Sequence, residues 1–147
     1  WSYVLFADEL RRVSRMPETD LRELFTRMCF NAAVSNLDDH PRNHAILAKT
    51  RDWQLSPAFD LTPTPMVAME RRDLAMVCGD RGRYANKKNL FSQHARFLLN
   101  EEDATTILNN IVETVRNSWQ PVMQEAGVSK TDCKRIESAF LYKGFFY

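Results

Sequence analysis

The sequence predicts a mainly α-helical fold with a small β-hairpin region. Apolar residues recur at helical spacing over residues 21–32 and again over residues 104–115, and short apolar segments flank a polar turn between residues 44 and 55. The chain has 147 residues, of which 44% are hydrophobic and 11% aromatic, so it can bury the core of one compact domain. We therefore expect a single domain over residues 1–147.

Two helical segments open the chain. Residues 1–13 form an apolar, helix-compatible stretch, and a second helix is expected to begin near Asp20 and to end near residues 33–34. Asp20 and Glu23 have the spacing of a capping box at the start of that helix. Because the chain begins at Trp1 without a methionine, we expect it to be a fragment of a longer protein.

Short strands and loops are predicted in the middle of the chain. Residues 44–48 and 53–55 flank a polar turn, which is typical of a β-hairpin. The prolines within residues 60–65 exclude a regular helix or a central strand there. A further strand is predicted at residues 74–78, and the glycines at the two ends of residues 79–82 indicate a turn after it.

The second half of the chain is predicted to be helical. Asn89 is expected to cap a helix that runs to residue 98, and Asn100 is expected to cap the next. Ser129 with Asp132 caps the last helix, and Gly127 ends the helix before it. The helix after Asn100 has one apolar stripe, formed by Ala104, Ile107, Leu108, Ile111, Val112 and Val115.

Charge and cysteine content exclude several classes of protein. Lys and Arg number 20 and Asp and Glu number 19, so the formal net charge of +1 gives no indication of nucleic-acid or membrane binding. No apolar run approaches the roughly 18 residues of a membrane helix, and no signal sequence opens the chain. The three cysteines form no C-x-x-C motif, which favours reduced core thiols. We expect a soluble cytoplasmic protein.

A polar segment follows the second predicted helix. Residues 35–47 read SNLDDHPRNHAIL, in which Asp38 and Asn43 have the D-x-x-x-x-N spacing of a kinase catalytic loop. Asp60 follows the predicted hairpin, where kinases present a second metal-binding residue. Because phosphoryl transfer needs an acid near the attacking hydroxyl and oxygen ligands for Mg²⁺, this order of residues predicts a phosphoryl-transfer site.

The same segments resemble a known family. Residues 38–43, DDHPRN, are similar to the D-x-H-x-x-N loop of HipA-like serine/threonine kinase toxins, and residues 57–60, PAFD, are similar to the P-x-[YF]-D segment of that family. The resemblance implies the carboxy-terminal, helical lobe of a protein-kinase-like fold. It also implies a kinase that transfers the γ-phosphoryl group of ATP to a protein hydroxyl.

The resemblance assigns roles to four residues. It implies that Asp38 is the catalytic acid and that Asn43 and Asp60 bind Mg²⁺ with the nucleotide. His40 is implied as a support for the phosphoryl group or for the loop, and so belongs to both the catalytic and the cofactor-binding residues. The Leu61 that follows Asp60, where ordinary protein kinases have a glycine, agrees with the HipA-like form.

A biological setting is also implied by the resemblance. It is a toxin-antitoxin system with a HipB-like DNA-binding antitoxin as partner and an aminoacyl-tRNA synthetase or another translation protein as substrate. The sequence contains no Gly-rich phosphate loop and no V-A-I-K-like strand. The lobe that covers the nucleotide is therefore expected elsewhere, and this chain alone is expected to be inactive.

Other interpretations of these residues remain open. The chain is alternatively a non-catalytic binding module of kinase-derived shape, or the lobe of a phosphatidylinositol-kinase-like enzyme. Asp39, His40 and His44 offer a carboxylate and two imidazoles for a transition metal, although Pro41 disfavours the helix on which that spacing works best. Asp38, like any loop aspartate, also has the chemistry of an ordinary turn former.

Overall fold

The secondary structure is mainly helical, with one two-stranded antiparallel sheet. A computed structural model describes residues 1–48, 50–65 and 68–147. Its regular elements are α1 (Tyr3–Val13), α2 (Pro17–Ala33), β1 (Ile46–Ala48), β2 (Trp53–Leu55), α3 (Lys87–Phe91), α4 (Glu101–Glu125) and α5 (Lys130–Ile136). Short 3₁₀ turns occur at Pro41–Asn43, His94–Phe97, Glu137–Ala139 and Lys143–Phe146. The predicted mainly helical fold with a small hairpin is confirmed.

Helix α2 is the central element, because it packs against both α1 and α4. The faces that meet are apolar and almost fully buried, as helical periodicity requires. They consist of Tyr3, Ala7 and Leu10 on α1, Leu21, Leu24, Phe25, Met28 and Ala32 on α2, and Ala104, Ile107, Leu108, Val112 and Val115 on α4. The predicted stripe of α4 is thus confirmed, with Ile111 packed at its edge. None of the described helices has the length and apolar composition of a membrane span.

The start of α2 differs from the prediction. The helix begins at Pro17, in the first helical position, where its missing N–H costs nothing. Asp20 therefore lies inside the first turn and is no cap. Its buried carboxylate accepts hydrogen bonds from Ser14 Oγ at 2.7 Å and from the backbone N–H of Leu55 at 2.9 Å, which joins the α1–α2 connection to β2.

The hairpin is fixed to the helices at the end that leads to Asp60. Strands β1 and β2 pair in antiparallel register, with Ile46 opposite Leu55. The N–H of Arg15 donates to Trp53 O at 2.9 Å, and Arg27 Nη2 donates to the carbonyl of Ser56 at 2.6 Å. The backbone at Ser56, directly before the segment 57–60, is therefore held in place by α2.

Residues 74–78, predicted as a strand, do not form a regular strand. Their backbone forms isolated bridges with different partners: Val77 pairs with Ser2, and the N–H of Leu74 donates to Arg83 O at 2.9 Å. Because the partner changes within five residues, no continuous ladder develops. The predicted turn at residues 79–82 is confirmed by the hydrogen bond from Gly82 N to Gly79 O at 3.0 Å.

Helix α3 is capped by Asn86 and not by the predicted Asn89. The Asn86 side chain accepts from the N–H of Asn89 at 2.9 Å. Asn89 is instead buried, and its amide donates to the carbonyls of Gly82 and Tyr84 at 3.1 and 2.9 Å. The predicted single helix up to residue 98 is divided into α3 and the 3₁₀ turn His94–Phe97.

The other predicted helix ends are found where the sequence places them. Asn100 accepts from the N–H of Asp103 at 2.7 Å, and Ser129 accepts from the N–H of Asp132 at 3.1 Å. Gly127 follows α4 with a φ of +85°, a left-handed conformation that favours glycine. These three predictions are confirmed, because each depends on contacts within a few residues of the chain.

Replacement of Asp20 by alanine should destabilise the fold. The change leaves the buried N–H of Leu55 and the hydroxyl of Ser14 without their acceptor, so we expect a loss of about 1–3 kcal/mol in the free energy of unfolding, measured by chemical denaturation. Glu18→Ala, an exposed change in the same first turn, is the control and should cost less than about 1 kcal/mol. Equal losses in the two variants would contradict this role of Asp20.

Alkaline pH should lower the stability of the fold through Cys78. Burial raises the pKa of the Cys78 thiol from 9.0 to about 12. Between these values the unfolded chain loses a proton that the folded chain keeps, so the free energy of unfolding falls as the pH rises, by up to about 1.4 kcal/mol per pH unit. Denaturation curves from pH 8 to 10 should show a shallower decline for Cys78→Ala than for the wild type; identical slopes would contradict the assignment.

Candidate functional site

The site begins where α2 ends and the chain turns sharply. Ser35 has a φ of +53°, and its hydroxyl accepts a hydrogen bond from Arg72 Nη1 at 2.6 Å. The N–H of Asn36 donates back to Asn31 O at 2.8 Å. The left-handed conformation is unfavourable for serine, so these bonds are what keep the turn in place. The polar segment therefore leaves α2 in a fixed direction.

Asp38 and Asp39 lie in opposite environments, although they are neighbours in the sequence. Asp38 is exposed, whereas Asp39 is only 1% exposed. The Asp39 carboxylate accepts hydrogen bonds from the hydroxyl of Tyr3 and from Nε2 of His44, the latter at 2.8 Å. Asp39 therefore fixes the loop to α1 and to the start of β1, and leaves Asp38 on the solvent side.

The two partners of Asp39 both act as hydrogen-bond donors. Burial, and then the negative charge of Asp39, raise the pKa of Tyr3 well above its usual value, so its hydroxyl keeps its proton. Nδ1 of His44 is buried and has no hydrogen-bond partner within the described ranges. A proton on Nδ1 would leave a buried donor unpaired, so the tautomer with hydrogen on Nε2, pointing at Asp39, is favoured.

Asn43 and Asp60, the two predicted metal ligands, are in contact through a hydrogen bond. Asn43 ends the 3₁₀ turn Pro41–Asn43, and its N–H donates to the carbonyl of His40 at 2.9 Å. Its buried side chain reaches across to the second segment, where Nδ2 donates to Asp60 Oδ2 at 2.9 Å. The structure thus joins two residues that are 17 positions apart in the sequence.

Asp60 has a left-handed backbone, which is uncommon for residues with a side chain, although aspartate tolerates it better than most. Its φ of +58° lies in the left-handed region, which costs a residue with a Cβ about 1–2 kcal/mol. Two contacts hold it there. Its carboxylate meets Asn43, and its carbonyl accepts from Asn36 Nδ2 at 3.4 Å. The side chain remains exposed, so its carboxylate is accessible.

His40 lies at the start of the 3₁₀ turn, where its carbonyl accepts from Asn43. Its half-buried ring packs edge-on against Trp1 at 6.3 Å between centroids. Nδ1 of His40 is buried without a hydrogen-bond partner among the described residues. These contacts make His40 part of the loop's support. A role at the phosphoryl group stays a prediction.

The alternative site for a transition metal is not favoured. His44 Nε2 and Asp39 are bonded to each other, and not to a common third position. Over residues 1–48, 50–65 and 68–147, no group of three or more His, Cys, Asp or Glu side chains is arranged to hold a metal ion. The pair formed by Asn43 and Asp60 has a different character, because one amide and one carboxylate leave most coordination positions to other ligands.

Comparison with known proteins agrees with this geometry. Residues 1–119 match the family model described as the HipA-like C-terminal domain. The chain belongs to this family. The predicted carboxy-terminal, kinase-like helical lobe is therefore confirmed. The relative Y4mE of Sinorhizobium fredii, which is named provisionally as a kinase, is 36% identical over 72 residues, or 49% of this chain. That match spans 17% of the length of Y4mE.

Sequence reasoning missed the buried residues that support this HipA-like site. Tyr3 lies 28 positions from Asn31 and 36 from Asp39, so no local pattern connects it to them. The sequence indicates Asp39 only as a candidate ligand of a transition metal, not as the residue that fixes the loop. Asn36 had a signal, because it directly precedes the loop motif as S-N-L-D. The catalytic and metal-binding roles of Asp38, His40, Asn43 and Asp60 stay predictions.

Proposed function

We propose that this HipA-like domain carries the catalytic acid and metal ligands of an ATP-dependent serine/threonine protein kinase. One observation carries the proposal: Asn43 Nδ2 and Asp60 Oδ2 lie 2.9 Å apart where two loops meet, with Asn43 buried and Asp60 exposed. The motif order D-x-x-x-x-N followed by a hairpin and a second aspartate is the order that kinase loops use. Family membership and the kinase name of Y4mE provide independent support.

The two side chains fit Mg²⁺. Mg²⁺ prefers carboxylate and amide oxygens, and neighbouring ligands of an octahedral ion with bonds of about 2.1 Å are about 3.0 Å apart. The 2.9 Å between the Asn43 amide and the Asp60 carboxylate is close to this value. A half-turn of the amide exchanges its nitrogen and oxygen, so Asn43 can present an oxygen beside Asp60. One carboxylate and one amide leave positions for phosphate oxygens.

Each residue then has a defined task. The exposed carboxylate of Asp38 accepts the proton of the substrate hydroxyl, whose oxygen becomes the nucleophile. Asn43 and Asp60 would hold Mg²⁺ together with the nucleotide, and His40 supports the turn that presents Asn43. When bound, ATP supplies the phosphoryl group and Mg²⁺ offsets the charge that develops on it.

The wider setting is proposed from family membership. We propose that the protein acts in the cytoplasm as the toxin of a toxin-antitoxin system, with a HipB-like DNA-binding antitoxin as partner. Its substrate would be a serine or threonine hydroxyl of an aminoacyl-tRNA synthetase or another translation protein. Direct binding of nucleic acid by this domain is not part of the proposal, since the net charge of +1 provides no cationic field.

Two substitutions should separate the roles of the aspartates in the full-length gene product that contains these residues. Asp38→Asn should lower phosphoryl transfer by about 10²–10⁴-fold and leave nucleotide affinity within about threefold, because only the proton acceptor is lost. Asp60→Ala should abolish transfer and also weaken Mg²⁺-dependent nucleotide binding by at least about tenfold, because a metal ligand is lost. Radiolabel transfer and titration calorimetry measure the two effects.

Asp52→Asn is the matched control. Asp52 is an exposed carboxylate of the hairpin turn that pairs with Arg15 at the surface, so its loss should leave both quantities unchanged. Near-normal activity of Asp38→Asn would remove Asp38 from the catalytic role. A full-length protein that binds a protein partner but transfers no phosphoryl group would instead establish the non-catalytic binding module.

A further inference from the structure

A chain of buried hydrogen bonds connects the two loops of the proposed site. Its members are Tyr3, Asn31, Asn36, Asp39 and His44, which we call the buried polar network. Four of them are at most 1% exposed, and the His44 side chain is 4% exposed. Because buried polar groups are costly when unpaired, the partners in such a network constrain one another.

The network extends from the catalytic loop to helix α2. The Tyr3 hydroxyl donates to Asp39 and accepts from Asn31 Nδ2 at 3.3 Å. Asn31 Oδ1 accepts from Asn36 Nδ2 at 3.1 Å. The side chain of Asn31 therefore connects Tyr3, the partner of Asp39, with Asn36 at the start of the loop.

Asn36 is the branch point of the network. A side-chain amide has two N–H donors, and Nδ2 of Asn36 uses them for Asn31 Oδ1 at 3.1 Å and for the carbonyl of Asp60 at 3.4 Å. Its backbone N–H is also bound to Asn31 O at 2.8 Å. Asn36 is thus fixed to α2 by two bonds and contacts Asp60 by a third.

We propose that Asn36 is a positioning residue of the phosphoryl-transfer site, acting on metal binding through the backbone of Asp60. This inference rests on the proposed function. Asp60 has a φ of +58°, and its carbonyl faces Asn36 while its carboxylate faces Asn43. Without the carbonyl contact Asp60 also populates negative φ, the commoner region for aspartate, and that change of backbone turns its carboxylate away from Asn43.

The effect should be local. At 3.4 Å the contact with Asp60 is long for an N–H···O bond, so it biases a conformer and does not hold the fold together. The same segment is also tied to the end of α2 by the bond from Thr64 N to Ser35 O at 3.0 Å. Removal of the Asn36 amide therefore leaves the loop attached but frees Asp60 to populate other conformers.

The test uses Asn36→Ala in the full-length protein, with rates measured as a function of Mg²⁺ concentration. We expect half-saturation to require about tenfold more Mg²⁺, while the rate at saturating Mg²⁺ stays within about threefold, because metal in excess selects the correct Asp60 conformer. Asn110→Ala, on the exposed face of α4, is the matched control and should leave the Mg²⁺ response unchanged.

A merely structural role would give a different result. Lower thermal stability with an unchanged Mg²⁺ response would overturn the inference, as would a fall in the saturated rate with unchanged half-saturation. If Asn36→Ala does not fold, Asn36→Ser decides the question: its hydroxyl keeps a polar group in the buried site but is one bond too short to reach the carbonyl of Asp60, so it should shift the Mg²⁺ response in the same direction. No shift in Asn36→Ser would then overturn the proposal.

The proposed function has its own separate outcome. If Asp38→Asn retains activity in the same assay, the assignment of the catalytic acid fails, whatever Asn36 does. Thermal-shift titration with Mg²⁺ and ADP measures metal-dependent binding without catalysis. An unchanged titration midpoint in Asn36→Ala overturns the positioning role even where no phosphoryl transfer is detected.

Discussion

The buried carboxylate of Asp39 is the constraint on which the geometry of the site depends. A carboxylate that is 1% exposed costs several kcal/mol unless donors meet it, and here the donors are Tyr3 on α1 and His44 before β1. Helix α1, the loop after α2 and the entry to the hairpin must therefore come together for the Asp39 carboxylate to be paired. The loop is left with little freedom, which is what a group placed beside a reacting hydroxyl requires.

In the polar segment 35–47, buried side chains fix the backbone and exposed side chains face solvent. Asp39 faces the interior and holds the backbone, while Asp38 faces solvent and keeps a free carboxylate. The second loop has the same arrangement. The buried Asn36 donates to the backbone carbonyl of Asp60, while the exposed Asp60 carboxylate accepts from Asn43. In both loops buried residues fix the backbone, while the carboxylates to which the proposed function gives a chemical role stay exposed.

The sequence predicted what local physics determines. The caps at Asn100 and Ser129 were correct because a cap contacts only the next turn of its own helix. Asp20 and Asn89 have the same cap chemistry but bind Leu55 and residues 82–84, and no local pattern signals a distant partner. The contact between the two predicted metal ligands was anticipated because a hairpin returns the chain to its start. The buried polar network was not, since it depends on how three separate elements pack.

A site with two protein ligands is sensitive to preorganisation. One amide and one carboxylate bind Mg²⁺ weakly by themselves, since phosphate oxygens and water must complete the shell. At the proposed site the apparent metal affinity would scale with the fraction of molecules in which Asp60 has the left-handed backbone that brings it to Asn43. Aspartate tolerates the left-handed region better than most residues with a side chain, but negative φ is still its commoner state, so the contacts around Asp60 select one of two accessible conformers. If the proposed site binds Mg²⁺, the contacts that hold the Asp60 backbone would change the metal affinity although they do not touch the ion.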